Sequence, residues 1–331
     1  MKGAIIGDII GSAYEFANTN RKDFQLFSSD SYFTDDSVMT CAVARAILDG
    51  CKDVTGTLQR IGMMYPDCGY GAKFYWWVRS KNPEPYNSYG NGSAMRVSAA
   101  GFAGNTLDEV KALSKAVTEV SHNHPEGLKG AECTAVCIFL ARQGKSKKEI
   151  KKYVVDNYYE LGMTCEYYRR VQNMCHGKEI CQVSVPQALT CFFESTDFED
   201  CIRNCISIGG DSDTIAAIAG GIAEAFYGIP DEIWLEAKGY LDNTLLGIVD
   251  EFYAKMVKVS LKDALAIAKT YAGGINHCVE YADAYVFADK DSDDIGGPFP
   301  IVIMKKDGSR MTMPEYIESS ESPDILNDMD I

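Results

Sequence analysis

Two stripes of small residues at helical spacing constrain this chain most. Gly3, Gly7 and Gly11 stand four apart near the start, and Ala216, Ala219, Gly220 and Ala223 form a similar stripe far downstream. Residues four apart lie on one helix face, and a face of small residues lets two helix backbones approach closely. Helical periodicity also dominates between the stripes. Met39, Ala42, Val43, Ala46 and Ile47 recur at i, i+3, i+4, i+7 and i+8, with Gly50 as a stop. Similar patterns run over 107–120, 128–142, 147–160, 198–207, 214–227, 231–241 and 262–271, while strand-like alternation is nearly absent from the first 270 residues. These patterns predict an all-α fold class.

Two acidic clusters open helical stretches: Thr34-Asp35-Asp36-Ser37 and Asp211-Ser212-Asp213-Thr214. Read singly, each is a helix N-cap, because Thr and Asp oxygens satisfy free backbone N–H groups and complement the helix dipole. Two consecutive carboxylates exceed what one cap needs, and both clusters carry a neighbouring Thr. Together they offer four carboxylates and two threonine hydroxyls, with no Cys or His. That donor set suits a hard cation such as Mg²⁺ or Mn²⁺, and with this many oxygens a pair of them. Packing of the two small-residue helices would bring residues 8–15, 34–36 and 211–214 to one place.

Composition limits the partners. A net charge of −15 argues against general nucleic-acid binding and against anionic membranes. Bound divalent cations would reverse the sign locally, so phosphate-bearing ligands stay open. The twelve cysteines are spread along the chain without a C-x-x-C pair, which predicts reduced thiols and a cytoplasmic protein. Cys133/Cys137 and Cys201/Cys205, spaced i,i+4, read as small buried apolar residues. The apolar start is interrupted by Asp8 and followed by Glu15, unlike a signal peptide. No apolar run reaches membrane-spanning length.

Further segments stand out. Tyr89-Gly90-Asn91-Gly92-Ser93-Ala94-Met95-Arg96 is a Gly-rich loop entering a helix, whose backbone N–H groups would suit a phosphate. His122 and His124 sit at i,i+2 before Pro125; they share no helix face and lack nearby cysteines, which disfavours zinc. His176 and His277 stand alone, with surface or core roles as the default. After about residue 275 the texture changes. Residues 299–313 read as a β-hairpin around Asp307-Gly308, and the chain from Glu318 on is too polar to fold.

The chain resembles the ADP-ribosylglycohydrolases, the family that includes dinitrogenase reductase-activating glycohydrolase and the ADP-ribosyl-acceptor hydrolases. The resemblance rests on Gly7-Asp8 with Gly11 and Glu15, on Thr34-Asp35-Asp36, on Gly90-Asn91-Gly92 with Met95-Arg96, on Ser121-His122 followed by Gly130-Ala131, and on Gly210-Asp211-Ser212-Asp213-Thr214. These motifs stand in family order over about residues 3–230.

The resemblance implies an orthogonal multi-helix domain, taken as 1–275; the change of texture makes 276–331 an appendage outside the resemblance, carrying the hairpin and an acidic tail. It implies two Mg²⁺ (or Mn²⁺) held by Thr34, Asp35, Asp36, Asp211, Asp213 and Thr214. Catalysis would fall to Glu15, Asp35 and Asp36, with Asp8 as buried support. Gly90, Asn91, Gly92, Ser93, Ala94, Met95, Arg96 and His122 would bind substrate. The expected activity is hydrolysis of the bond between C1″ of ADP-ribose and an acceptor, arginine first. The expected partners are an ADP-ribosylated protein or a small ADP-ribose conjugate, and the expected state is a monomer. Serine-linked and O-acetyl-ADP-ribose substrates, a dinuclear-metal nucleotide phosphohydrolase and a non-catalytic ADP-ribose binder are the alternatives.

Overall fold

The first helix, α1 (Lys2–Ser12), is buried from Gly3 to Ser12. It lies against the downstream stripe so closely that a β-carbon on Gly3 would sit 2.1 Å from the carbonyl oxygen of Gly220, and one on Gly7 2.2 Å from that of Ala216. Only glycine permits such a contact. The computed structural model describes residues 1–171, 179–257, 259, 261–281, 283–291, 300–305, 308–319 and 325–331. His176 therefore lies outside the described residues.

After α1 come α2 (Asp35–Leu48), α3 (Val54–Met64), α4 (Ala72–Arg79), the single turn α5 (Gly92–Met95), α6 (Ser98–Ala103), α7 (Leu107–Thr118) and α8 (Pro125–Arg142). They are followed by α9 (Lys147–Asn157), α10 (Cys165–Val171), α11 (Cys181–Glu194), α12 (Phe198–Ile208), α13 (Ser212–Tyr227), α14 (Asp231–Ala237) and α15 (Asn243–Met256). Local chemistry starts several of them. Thr34, Thr106 and Asp197 cap α2, α7 and α12, and Ser146 with Glu149 forms a capping box on α9. The interior is filled by residues such as Ile5, Ile9, Met39, Phe192 and Phe198. Cys133, Cys137, Cys201 and Cys205 are free thiols buried among them, as their spacing predicts. Among the described residues no helix is long and apolar enough to cross a membrane.

The chain divides into two compact units, Met1–Phe252 and Tyr253–Ile331. The second contains α16 (Leu261–Lys269), β1 (His277–Tyr281), β2 (Ala284–Ala288), β3 (Ile301–Met304), β4 (Arg310–Met311), α17 (Met313–Ser319) and β5 (Ile325–Asp330). The strands form one antiparallel sheet in the order β4-β3-β2-β1-β5. Alternation sends Tyr285, Phe287, Ile301 and Ile303 toward Ala264 and Ala268 of α16, and Val286, Val302 and Met304 toward Tyr316 of α17.

Three sequence expectations change here. The hairpin exists, with Val302 opposite Met311, but it is part of a five-stranded sheet; Phe299, Lys306 and Asp307 lie outside the described residues. The polar end of the chain supplies β5, with Asp328 opposite Val279, because strand pairing satisfies backbone groups whatever the side chains. The division falls at 252/253 rather than 275/276, since α16 packs on the sheet.

Candidate active site

The close contact of α1 and α13 sets the floor of the site. Asp8 is fully buried on α1. Its carboxylate accepts from the Thr34 amide (2.9 Å), the Thr34 hydroxyl (2.6 Å) and the Ser37 amide (3.0 Å). This pins the start of α2 against α1. Thr34 Oγ1 in turn accepts from the Asp36 amide at 3.2 Å, so the cap reading of this cluster holds. It fails for the second cluster: Asp211 stands at the N-cap of α13 and makes no side-chain cap bond. Gly209 and Gly210, at φ 69° and 83°, turn the chain through the left-handed region just before it.

The carboxylates gather in two triplets. One oxygen each of Asp8, Asp36 and Asp213 lie within 4.8 Å of one another, and so do one oxygen each of Glu15, Asp211 and Asp213. Asp213 belongs to both. Thr214 donates its hydroxyl to Asp36 Oδ2 at 3.2 Å and its amide to Asp213 Oδ1 at 2.8 Å. Asp36 Oδ1 is buried with no hydrogen-bond partner. Asp35 lines the same cavity, donates its amide to Cys68 at 2.7 Å and belongs to neither triplet. An all-oxygen donor set with an orphaned buried carboxylate oxygen fits hard divalent cations.

Burial and mutual repulsion shift these carboxyls upward. Burial raises Asp8 to about 6, against its bonds from Ser37 and Thr34. Burial, then the charges of Asp8 and Asp211, push Asp35 to about 8. Asp36 and Asp213 lie well above the carboxylate range for the same reasons. Burial and then Asp211 raise Glu15 to about 7. Like charges this close resist joint ionisation until a cation offsets them.

Above this floor lies a cavity of about 480 Å³, within the usual range for small-molecule sites. Its lining includes Thr34, Asp35, Asp36, Glu15, Asp211, Asp213, Thr214, Gly90, Asn91, Gly92, Met95, Arg96 and His122. Ser93 and Ala94 are instead buried behind it, Ser93 donating to the Gly127 carbonyl at 2.9 Å. The amides of Gly90, Asn91, Ser93, Ala94 and Met95 are already bonded within the protein, so this loop is no open fan of N–H donors. Asn91 spends its side-chain amide on Ser184 (2.9 Å) and on Asp211 Oδ2 (2.5 Å), and thereby orients a carboxylate of the floor. The two loop histidines separate: His124 caps α8 through Glu126 at 3.1 Å, while His122 is buried in the cavity wall.

Other contributors carry no motif. Asn18 donates to the Glu15 carbonyl at 2.6 Å and accepts from the Gly210 amide at 2.5 Å, stapling the Glu15 loop to the turn before Asp211. Phe16, Tyr32, Phe74, Tyr86 and Glu179 also line the cavity. Phe74 is a buried residue of the short helix α4, and the others come from turns and loops, where periodicity says nothing.

The ADP-ribosylglycohydrolase family model matches residues 1–261. The chain belongs to the ADP-ribosylglycohydrolase family. Human ADP-ribosylhydrolase ARH3 is 27% identical, over 74% of this chain and 90% of that protein. ADP-ribosylarginine hydrolase Tri1 of Pseudomonas putida (strain GB-1) is 24% identical, over 81% of this chain and 80% of that one. ADP-ribosyl-[dinitrogen reductase] glycohydrolase of Rhodospirillum rubrum is 26% identical, over 69% and 84%. Among solved structures, an ADP-ribosylglycohydrolase-related protein complex shares the fold, with a TM-score of 0.57 at 19% identity over 76% of this chain and 94% of that one. This ADP-ribosylglycohydrolase is accordingly a hydrolase of the glycosidic linkages of ADP-ribose, with acidic triplets able to hold metal.

Proposed function

We propose that this enzyme removes ADP-ribose from arginine side chains of modified proteins or small conjugates, with two Mg²⁺ or Mn²⁺ bound. The observation that carries the reading is the pair of carboxylate triplets joined at Asp213, with Glu15 in one of them. Asp8, Asp36 and Asp213 would hold one cation and Glu15, Asp211 and Asp213 the other, with Thr34, Asp35 and Thr214 completing the oxygen set. Such cations would lower the pKa of a water and bind ribose hydroxyls.

The remaining work belongs to the chain's own residues. Cleavage at C1″ passes through an oxocarbenium-like transition state. Glu15, half-buried at the floor, orients the water and handles its proton. Asn91 holds Asp211 in place. Gly90, Gly92 and His122 line the wall on which the rest of the ADP-ribose lies, and Arg96 behind them favours its phosphates.

The rim supports arginine as the acceptor. Phe16 is 86% exposed, Tyr32 49% exposed, and both line the cavity beside Glu15. Exposed Glu179 lines it too, its carboxyl raised by partial burial and then by the Asp211 charge, and it has no ion pair among the described residues. An acceptor leaving from C1″ passes this rim. A carboxylate and aromatic faces suit a planar guanidinium. The relative named for ADP-ribosylarginine agrees.

The deciding experiment incubates the protein with arginine-linked, serine-linked and O-acetyl-linked ADP-ribose, with and without Mg²⁺, and identifies products by mass. Free ADP-ribose from the arginine conjugate, dependent on metal, is expected. Release of phosphate or AMP, or faster cleavage of the serine conjugate, would replace the reading.

A further inference from the structure

Behind the cavity wall, Arg96, Ser121 and His122 form a directed chain. Arg96 is 1% exposed and Ser121 fully buried. Arg96 Nη2 donates to Ser121 Oγ at 2.8 Å and to the Val117 carbonyl at 3.3 Å. A guanidinium cannot accept, so the direction of the first bond is fixed. Ser121 Oγ lies 2.8 Å from His122 Nδ1.

The serine has one proton to place. If His122 carried its own proton on Nδ1, the imidazole would donate to Ser121 Oγ, and the serine proton would be left without an acceptor among the described residues. A buried unpaired O–H is costly. If instead Ser121 donates to Nδ1, the serine proton and the Nδ1 lone pair are both satisfied and the imidazole proton sits on Nε2. Burial, and then the Arg96 charge, hold His122 well below the usual histidine range, which removes the doubly protonated ring. Nε2 has no protein partner among the described residues. It faces Gly90 and Gly92, where β-carbons would stand 3.7 and 3.4 Å from it, and His122 lines the cavity.

We infer that Ser121 is a positioning residue: it relays the Arg96 donor to His122 Nδ1, so that His122 presents a neutral Nε2–H to an oxygen of the bound ligand. The two bare glycines keep the path from Nε2 to the cavity open. The ligand class is one with acceptor oxygens only at this point, such as a phosphate or a ribose ring oxygen.

The test uses the full chain labelled with ¹⁵N. Long-range ¹H–¹⁵N correlation of the histidine rings, assigned with His122→Asn, reads the tautomer directly and does not depend on the proposed activity. A protonated Nε2 and a bare Nδ1 are expected; a proton on Nδ1 overturns the inference. In Ser121→Ala the preference should be lost and ADP-ribose should bind about tenfold more weakly, the scale of one hydrogen bond, with kcat on a cleavable conjugate changed far less than KM. Ser121→Thr, which keeps the hydroxyl, should restore both tautomer and affinity. An unchanged tautomer in a folded Ser121→Ala protein overturns the relay. Should Ser121→Ala not fold, the wild-type tautomer alone decides. This ligand readout rests on the proposed function, the tautomer does not, so the two can fail separately.

Discussion

A β-carbon on Gly11 would lie 2.3 Å from the Cα of Asp213 and 2.6 Å from its backbone nitrogen. The missing side chain on α1 thus sets where the carboxylate shared by both triplets stands. Gly11→Ala must push α13 away. Overpacking of this kind costs about 1–3 kcal/mol, and the displacement acts on the carboxylate common to both triplets. We expect weaker Mn²⁺ binding by calorimetry and a smaller rise in Tm on adding metal. Gly239→Ala, at a position with nothing within 4 Å of the added carbon, should change neither. Full metal affinity in Gly11→Ala would show that the helix contact does not position the site.

Metal removal should invert the pH dependence of stability. Without cations Asp8 titrates at about 6 and Asp35 at about 8, and Asp36 and Asp213 higher than usual, against about 4 in the unfolded chain. A raised folded pKa means that the native state binds more protons across this window. Its stability is therefore highest near pH 5 and lost as pH rises toward 8. With cations bound the charged forms are favoured, and stability is lost instead as pH falls. In chelator, Tm should drop between pH 5 and 8 on the order of 5 °C, which about 2 kcal/mol produces in a domain of this size. In saturating Mg²⁺ the slope should have the opposite sign. Parallel slopes in calorimetry would mean that the cluster does not hold metal.

The floor of this site is legible in the sequence because its chemistry lies in contiguous groups. Asp35-Asp36 and Asp211-Ser212-Asp213-Thr214 announce themselves, and the glycine stripe tells which helix must lie beside α13. Asp8 was visible as a buried support, but its place in a triplet depends on the α1–α2 angle, which no local pattern encodes. Asn18 and Glu179 are invisible for a different reason: each is an ordinary polar loop residue until a partner far away in the chain meets it. The Gly90–Arg96 loop shows the reverse. Its glycines suggest free amides, yet Ser88 already takes that of Gly90 and the Glu179 carbonyl that of Asn91, and its buried Arg96 and Asn91 matter more than its backbone. β5 escapes notice since Ile325–Asp330 is mostly exposed and forms through pairing rather than burial.

Glu15 should separate chemistry from binding. It sits in one triplet and lines the cavity, on a loop held by Asn18. Glu15→Gln keeps shape and removes the charge. Turnover should fall by roughly a hundredfold or more, the scale of lost acid–base catalysis, while ADP-ribose affinity changes by far less. Weak ADP-ribose binding with normal turnover at saturation would make it a binding residue only.

The position of α16 sets where the chain can be shortened. Ala264 and Ala268 pack with Cys278, Tyr285, Phe287, Ile301 and Ile303, and Leu261, Leu265 and Ile267 join them. This helix has its apolar face on the sheet, within the unit Tyr253–Ile331. A chain ending at Ala272 keeps α16 but removes its cover, leaving an exposed apolar stripe that favours association. One ending at Met256 keeps α15 whole, retains every residue of the triplets and removes the second unit from residue 257 on. The shorter chain should fold, bind Mn²⁺ and cleave a small ADP-ribose conjugate at a rate within about twofold of the full protein, because every residue that lines the cavity or joins a triplet belongs to the unit Met1–Phe252. The longer one should elute as aggregate or expose dye-binding surface. If the order is reversed, with the Ala272 chain monomeric and active and the Met256 chain unfolded, then α16 belongs to the helical unit after all.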